Sequence, residues 1–75
     1  MATSFYKDFF IIAMGQFDKQ KELLMPVAGI GWHSTIGHEF HSIQDSVHCF
    51  PTKQEAEAFA LEAAKAWIDA RVKAA

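Results

Sequence analysis

The segment Phe50-Pro51-Thr52 running into Lys53–Val72 constrains the fold most, because it carries a helix start signal and a helical apolar period together. Thr52 is an N-cap residue, and Glu55 three positions later completes a capping box, in which hydroxyl and carboxylate each satisfy a free backbone N–H. Pro51 lies just outside and blocks extension backwards. On a helical wheel Ala56, Phe59, Ala60, Ala63, Trp67 and Ala70 share one stripe, read as the core seam. Glu55, Glu62, Lys65, Asp69 and Lys73 line the opposite face. A second seam, Leu61, Ala64, Ile68 and Val72, widens the apolar face beyond what one small sheet covers.

Everything before this helix has strand character. Residues 5–18 are aromatic and β-branched and run to a polar break at Asp18-Lys19-Gln20-Lys21, which predicts one strand ending in a turn. Phe9, Ile11, Ala13 and Phe17 fall on one of its faces and Phe10, Ile12 and Met14 on the other, so both faces are expected to be covered. Residues 23–34 predict a second strand, in which Pro26 marks an edge or bulge. Gly29 and Gly31 share one face of it, a shallow trough for large side chains from the helix, while Ile30 and Trp32 share the other. Thr35-Ile36-Gly37-His38 reads as a turn, and Glu39–Ser42 with Val47–Phe50 as a third strand broken by a loop at Gln44-Asp45-Ser46.

With 75 residues there is room for one domain, residues 1–75, near the lower size limit for a core without cross-links. An apolar share of 51% is generous for so small a body, which points to a partner surface. The net charge of −2 supplies no positive field for an electrostatic grip on nucleic acid. The single Cys49 excludes an intrachain disulfide and fits a reducing compartment, so a cytoplasmic location is expected. The chain shows no signal-peptide pattern and no apolar run long enough to span a bilayer.

His33, His38, His41, His48 and Cys49 are the residues with ligand chemistry. Their spacing matches no zinc finger, and His38-Glu39-Phe40-His41 is one residue short of the helical H-E-x-x-H motif, so neither metal nor cofactor is expected. His48 and Cys49 are neighbours on an extended segment and point apart, which excludes them as a base–nucleophile pair. Cys49 then reads as a small buried hydrophobe, and no catalytic residue is assigned. Gly29-Ile30-Gly31 lacks the third glycine and the helix of a phosphate loop.

The run from Cys49 through Ala64 resembles the sheet-to-helix junction of plant AP2-type DNA-binding domains, a three-stranded sheet followed by an E-A-x-x-A-aromatic helix. That likeness covers part of the chain and implies major-groove reading by arginines on the sheet. Here the only arginine is Arg71, near the end of the helix. The Tyr6-Lys7 opening, Phe50-Pro51-Thr52, Glu55-Ala56 and Trp67-Ile68-Asp69 are similar to small uncharacterised bacterial β-β-β-α proteins, a likeness that implies a fold and no activity. Double-stranded-RNA-binding domains share the element order but carry an N-terminal helix that this sequence lacks.

The expected architecture is α+β, a three-stranded antiparallel meander with one C-terminal helix packed on one face through Phe59, Ala63 and Trp67. The expected function is a non-enzymatic interaction module, homodimeric or binding another protein. Candidate contacts are Phe10, Ile12, Met14, Ile30, Trp32, Leu61, Ile68 and Val72. A nucleic-acid-binding or regulatory module using the sheet face is the alternative. What discriminates them is whether that face is apolar or rich in Lys and Arg.

Overall fold

A computed structural model describes residues 1–74. Four strands come first, β1 (Ala2–Tyr6), β2 (Phe9–Asp18), β3 (Leu23–Ser34) and β4 (Gly37–Gln44), and one helix follows, α1 (Lys53–Ala74). The strands form a single antiparallel sheet in the order β1-β2-β3-β4. The α+β class and the C-terminal helix agree with the sequence reading, and the strand count corrects it from three to four.

The extra strand comes from a hairpin hidden inside residues 5–18. Lys7 and Asp8 both adopt positive φ, 50° and 68°, between the paired residues Tyr6 and Phe9. Two consecutive left-handed residues are the geometry of a type I′ turn, whose twist matches that of the strands it joins. Such turns favour Asn-Gly or Asp-Gly, and Lys-Asp followed directly by Phe9-Phe10 carries no such signal.

At the other end of the sheet, β4 is continuous and Val47–Phe50 is not its second half. The Asp45 carboxylate accepts the N–H groups of Val47 and His48 through Oδ1, at 2.9 and 3.0 Å, and turns the chain away from the sheet. Only Phe50 returns, exchanging two backbone hydrogen bonds with Leu24 at 2.7 and 2.8 Å. Pro26 is tolerated for the same reason. Leu24 and Pro26 present their backbone polar groups to the same side. There the β4 ladder closes with the Asp45 N–H donated to the Pro26 carbonyl at 3.2 Å, so proline gives up only one bond at the very end of the ladder.

The helix covers one face of the sheet. Its fully buried line is Ala56, Ala60, Ala64 and Ile68, in steps of four, against Ile11, Ala13, Ala28 and Ile30. This seam runs between the two expected stripes, and Phe59, Ala63 and Trp67 flank it, half-buried. Small residues along the contact bring the helix axis close to the sheet. The approach is close at Gly15, where a Cβ would lie 3.0 Å from the Ala56 Cβ. Gly29 and Gly31 point the other way, since Ile30 and Trp32 face the helix. The trough is therefore on the outer face, and the Phe40 ring from β4 partly fills it, 2.7 Å from where a Gly29 Cβ would be. Trp67 packs instead on Trp32 and flat against His41, with ring centroids 5.6 and 4.5 Å apart, and the Arg71 guanidinium lies over Trp32 at 4.7 Å.

Two tethers fix the helix ends. Thr52 Oγ1 accepts the Glu55 N–H at 3.2 Å, as the capping box requires. The Glu55 carboxylate, however, accepts the Thr52 hydroxyl at 2.9 Å rather than the threonine N–H. Near the other end, Asp69 is drawn off the expected solvent face. Its Oδ1 accepts from the Tyr6 hydroxyl at 2.9 Å and from Lys7 Nζ at 2.8 Å, which ties the β1–β2 turn to α1. Among the described residues no helix is long and apolar enough to cross a membrane.

Candidate interaction surface

The sheet face turned away from α1 is the surface the fold leaves open. Alternation along each strand puts Thr3 and Phe5 of β1, Phe10, Ile12 and Met14 of β2, Gly29, Gly31 and His33 of β3, and His38, Phe40 and Ser42 of β4 on it. The register aligns them in rows across the sheet. One row reads Phe5, Phe10, Gly31, Phe40, and the next reads Thr3, Ile12, Gly29, Ser42. Phe5 and Phe10 stack tilted with centroids 5.0 Å apart. Phe5, Phe10 and Phe40 are 77%, 36% and 67% exposed, large values for three phenylalanines in one line.

Gly31 makes a notch in that row. Phe10 and Phe40 form the walls of a groove of about 480 Å³ with Gly31 as its floor and His33, His38 and Asp8 at its end. A Cβ on Gly31 would meet nothing closer than 3.9 Å, so the notch is open to an incoming side chain. The strand positions of this face carry no Lys or Arg, and their one acidic residue, Asp18, stands at the far end of β2, away from the row of rings.

The eight residues singled out from the sequence separate into different environments. Phe10 and Met14 stand on the open face, both more than a third exposed, and Ile12 lies half-buried between them. Ile30 and Ile68 are 0% exposed and belong to the core between sheet and helix, so neither is a contact surface. They were misplaced because β3 and α1 turn their β-branched side chains toward each other. Trp32 and Leu61 also pack against that core, half-buried, while Val72 is exposed near the helix end. Phe5 and Phe40, 77% and 67% exposed on the same face, are not among those eight. Once the Lys7-Asp8 turn is known, the cross-strand register identifies Phe5 directly.

The four histidines do not converge on one point: His33 and His38 pair across the β3–β4 hairpin with ring centroids 4.1 Å apart, and the other two stand elsewhere. His41 stacks on Trp67, and His48 Nδ1 bonds to Asp45 Oδ2 at 2.9 Å beside the Phe59 ring. The Asp45 carboxyl is held below the ordinary carboxylate range, first by the His48 backbone N–H and then by the His48 ring. Cys49 is half-buried rather than buried, its Sγ 3.6 Å from the Ser46 carbonyl oxygen. Among the described residues no group of three or more metal-ligating side chains forms. Compared with protein-family models, with curated proteins and with solved structures, the chain matches none.

Proposed function

We propose that the chain is a non-enzymatic interaction module that pairs with a second copy of itself through the outer face of the sheet. The observation that carries this reading is the uncharged row Phe5, Phe10, Gly31, Phe40, with its open notch. An aromatic side chain contributes roughly 150–250 Å², so the exposed parts of these three rings amount to about 270–450 Å² per copy. That is about a third to a half of the ~800 Å² each partner contributes to a standard interface, before Ile12 and Met14 are included. Face-to-face sheets pack by interdigitating their side chains, and a ridge of rings beside a glycine notch is self-complementary under a two-fold axis.

The aromatic row also has the form of a stacking platform for single-stranded nucleic acid, the alternative reading. Such platforms work beside a basic groove, and no cationic side chain shares these strand positions, which favours the protein partner. Light scattering at micromolar concentration tests the proposal. A dimer is expected that becomes monomeric in Phe10→Asp and in Phe40→Asp, with circular dichroism unchanged. A wild-type monomer up to ~100 μM refutes it, and retention of single-stranded DNA at physiological salt would put the alternative in its place.

A further inference from the structure

We infer that His33 and His38 form a two-histidine chelating site for a divalent transition-metal ion, of the Cu²⁺, Ni²⁺ or Zn²⁺ class. They are direct cross-strand partners, one step inside the two-residue turn at Thr35 and Ile36. Both are exposed, with ring centroids 4.1 Å apart and ring planes inclined at 52°. The other two histidines are engaged elsewhere, one on Trp67 and one on Asp45. In this pair each ring packs against the other. Two neutral imidazoles gain little from each other, and two protonated ones repel, whereas a shared cation satisfies both.

The geometry is close to that of a chelate. With a metal–nitrogen distance of about 2.0–2.1 Å, a ring centre lies roughly 3.2 Å from the ion, and two cis imidazoles then stand about 4.5–5 Å apart, centre to centre. The observed separation is within about an ångström of that range. The planes are inclined at 52°, an arrangement compatible with one ion shared between the two rings. The hairpin that carries them is pre-organised: Gly37 supplies a φ of +124°, and Ser34 Oγ accepts the Ile36 N–H and donates to the Gly37 carbonyl, each at 3.3 Å. Little ordering entropy then remains to be lost on binding.

Two protein ligands leave the other coordination positions to water or to a donor from a molecule in the groove. Asp8 lines the same groove across from His33 but does not complete a three-ligand group. The ligand type selects the ions. Imidazole favours Cu²⁺, then Ni²⁺ and Zn²⁺, and gives no hold on Mg²⁺ or Ca²⁺. Binding displaces protons from the rings and therefore weakens on acidification. The inference stands apart from self-pairing, since both histidines come from one hairpin.

The test is calorimetric titration of tag-free, metal-free protein with Cu²⁺ at neutral pH, using Mg²⁺ as the control ion. His33→Gln and His38→Gln are expected each to weaken Cu²⁺ binding at least about tenfold, since a chelate becomes a single ligand, while His48→Gln stays within about twofold of wild type. Both sites are exposed, so the variants should fold, and circular dichroism verifies this. In NMR spectra Cu²⁺ should selectively broaden the His33 and His38 ring signals. Unchanged affinity in both hairpin variants, broadening centred on His41 or His48, or an equal response to Mg²⁺ would overturn the site.

Discussion

Alanine substitution at two glycines discriminates between the tightest contact in this fold and the closest one by distance. At Gly15 an added methyl would lie 3.0 Å from the Ala56 Cβ, 3.4 Å from the Leu24 Cβ and 3.5 Å from the Lys53 Cα. These are stub atoms and backbone, and relief requires the helix to move off the sheet along its buried alanine line. Overpacking of this kind costs about 1–3 kcal/mol, and restricting the unfolded chain returns roughly 0.4–1 kcal/mol. A net loss of about 1–2 kcal/mol is expected for Gly15→Ala. At Gly29 the methyl would come nearer still, 2.7 Å from the Phe40 ζ carbon. That atom is the far end of a ring that is 67% exposed and free to swing toward solvent. Gly29→Ala should therefore be within about 0.5 kcal/mol of neutral, or slightly stabilising.

Urea denaturation followed by tryptophan fluorescence measures both, because Trp32 and Trp67 pack together at the helix–sheet contact. For a domain this small an m-value near 1 kcal/mol/M turns the Gly15→Ala loss into a midpoint shift of about 1–2 M, against less than about 0.5 M for Gly29→Ala. The double variant Gly15→Ala/Ala56→Gly removes the opposing methyl, so its loss should be smaller than the two single losses added together, by at least about 0.5 kcal/mol. A larger loss at Gly29 than at Gly15, or strict additivity in the double variant, would show that the helix does not lie where this packing puts it.

Ile68→Ala should destabilise by about 2–5 kcal/mol, since it empties a fully buried site on the helix seam, whereas Thr52→Ala should cost about 1 kcal/mol through loss of the cap; equal losses would contradict the burial pattern. The Asp69 carboxyl is held below the ordinary carboxylate range, first by the hydrogen bond from Lys7 and then by that from Tyr6, so its contribution is present above the unfolded-state pKa and is lost as pH falls through the lowered folded value. The Lys7 ammonium is shifted upward, first by its hydrogen bond to Asp69, and its contribution is lost only as strongly alkaline pH passes the raised value. NMR titration should place Asp69 nearer the ordinary range in Lys7→Met and, less far, in Tyr6→Phe; no movement in either would remove the tether.

Legibility in the sequence followed the length of the signals. The helix start was readable because Pro51, Thr52 and Glu55 each have a local mechanism, and Thr52 caps as expected. The N-terminal hairpin was not, because its turn residues Lys7 and Asp8 adopt left-handed backbone without the glycine or asparagine that normally announces it. The core seam was bracketed but not located. Three buried alanines and an isoleucine share the helix with Phe59 and Trp67, and hydrophobicity alone ranks the large rings as core. Packing reverses that ranking: Gly15 and Ala13 bring the helix so near the sheet that only small side chains fit along the axis, and the rings move to the flanks.

The same distances give the outer phenylalanines their meaning. The core closes with Ile11, Ala13, Ala28 and Ile30 against an alanine line, and Phe5 and Phe40 add almost nothing to it, since most of each ring remains in water. An exposed ring gains little of the roughly 25 cal/mol per Å² that burial supplies, so folding stability places only a weak demand on aromatic character at these positions. Polar residues of similar strand propensity, threonine above all, would serve the fold as well and would leave no apolar row to associate. Threonine does stand at position 3 and serine at position 42, at the two ends of the neighbouring row on this face. The sheet thus admits small polar residues on its edge strands one row away from Phe5 and Phe40. The aromatic row is a local feature beside the notch at Gly31 that the core does not need, and this is what supports the proposed self-pairing.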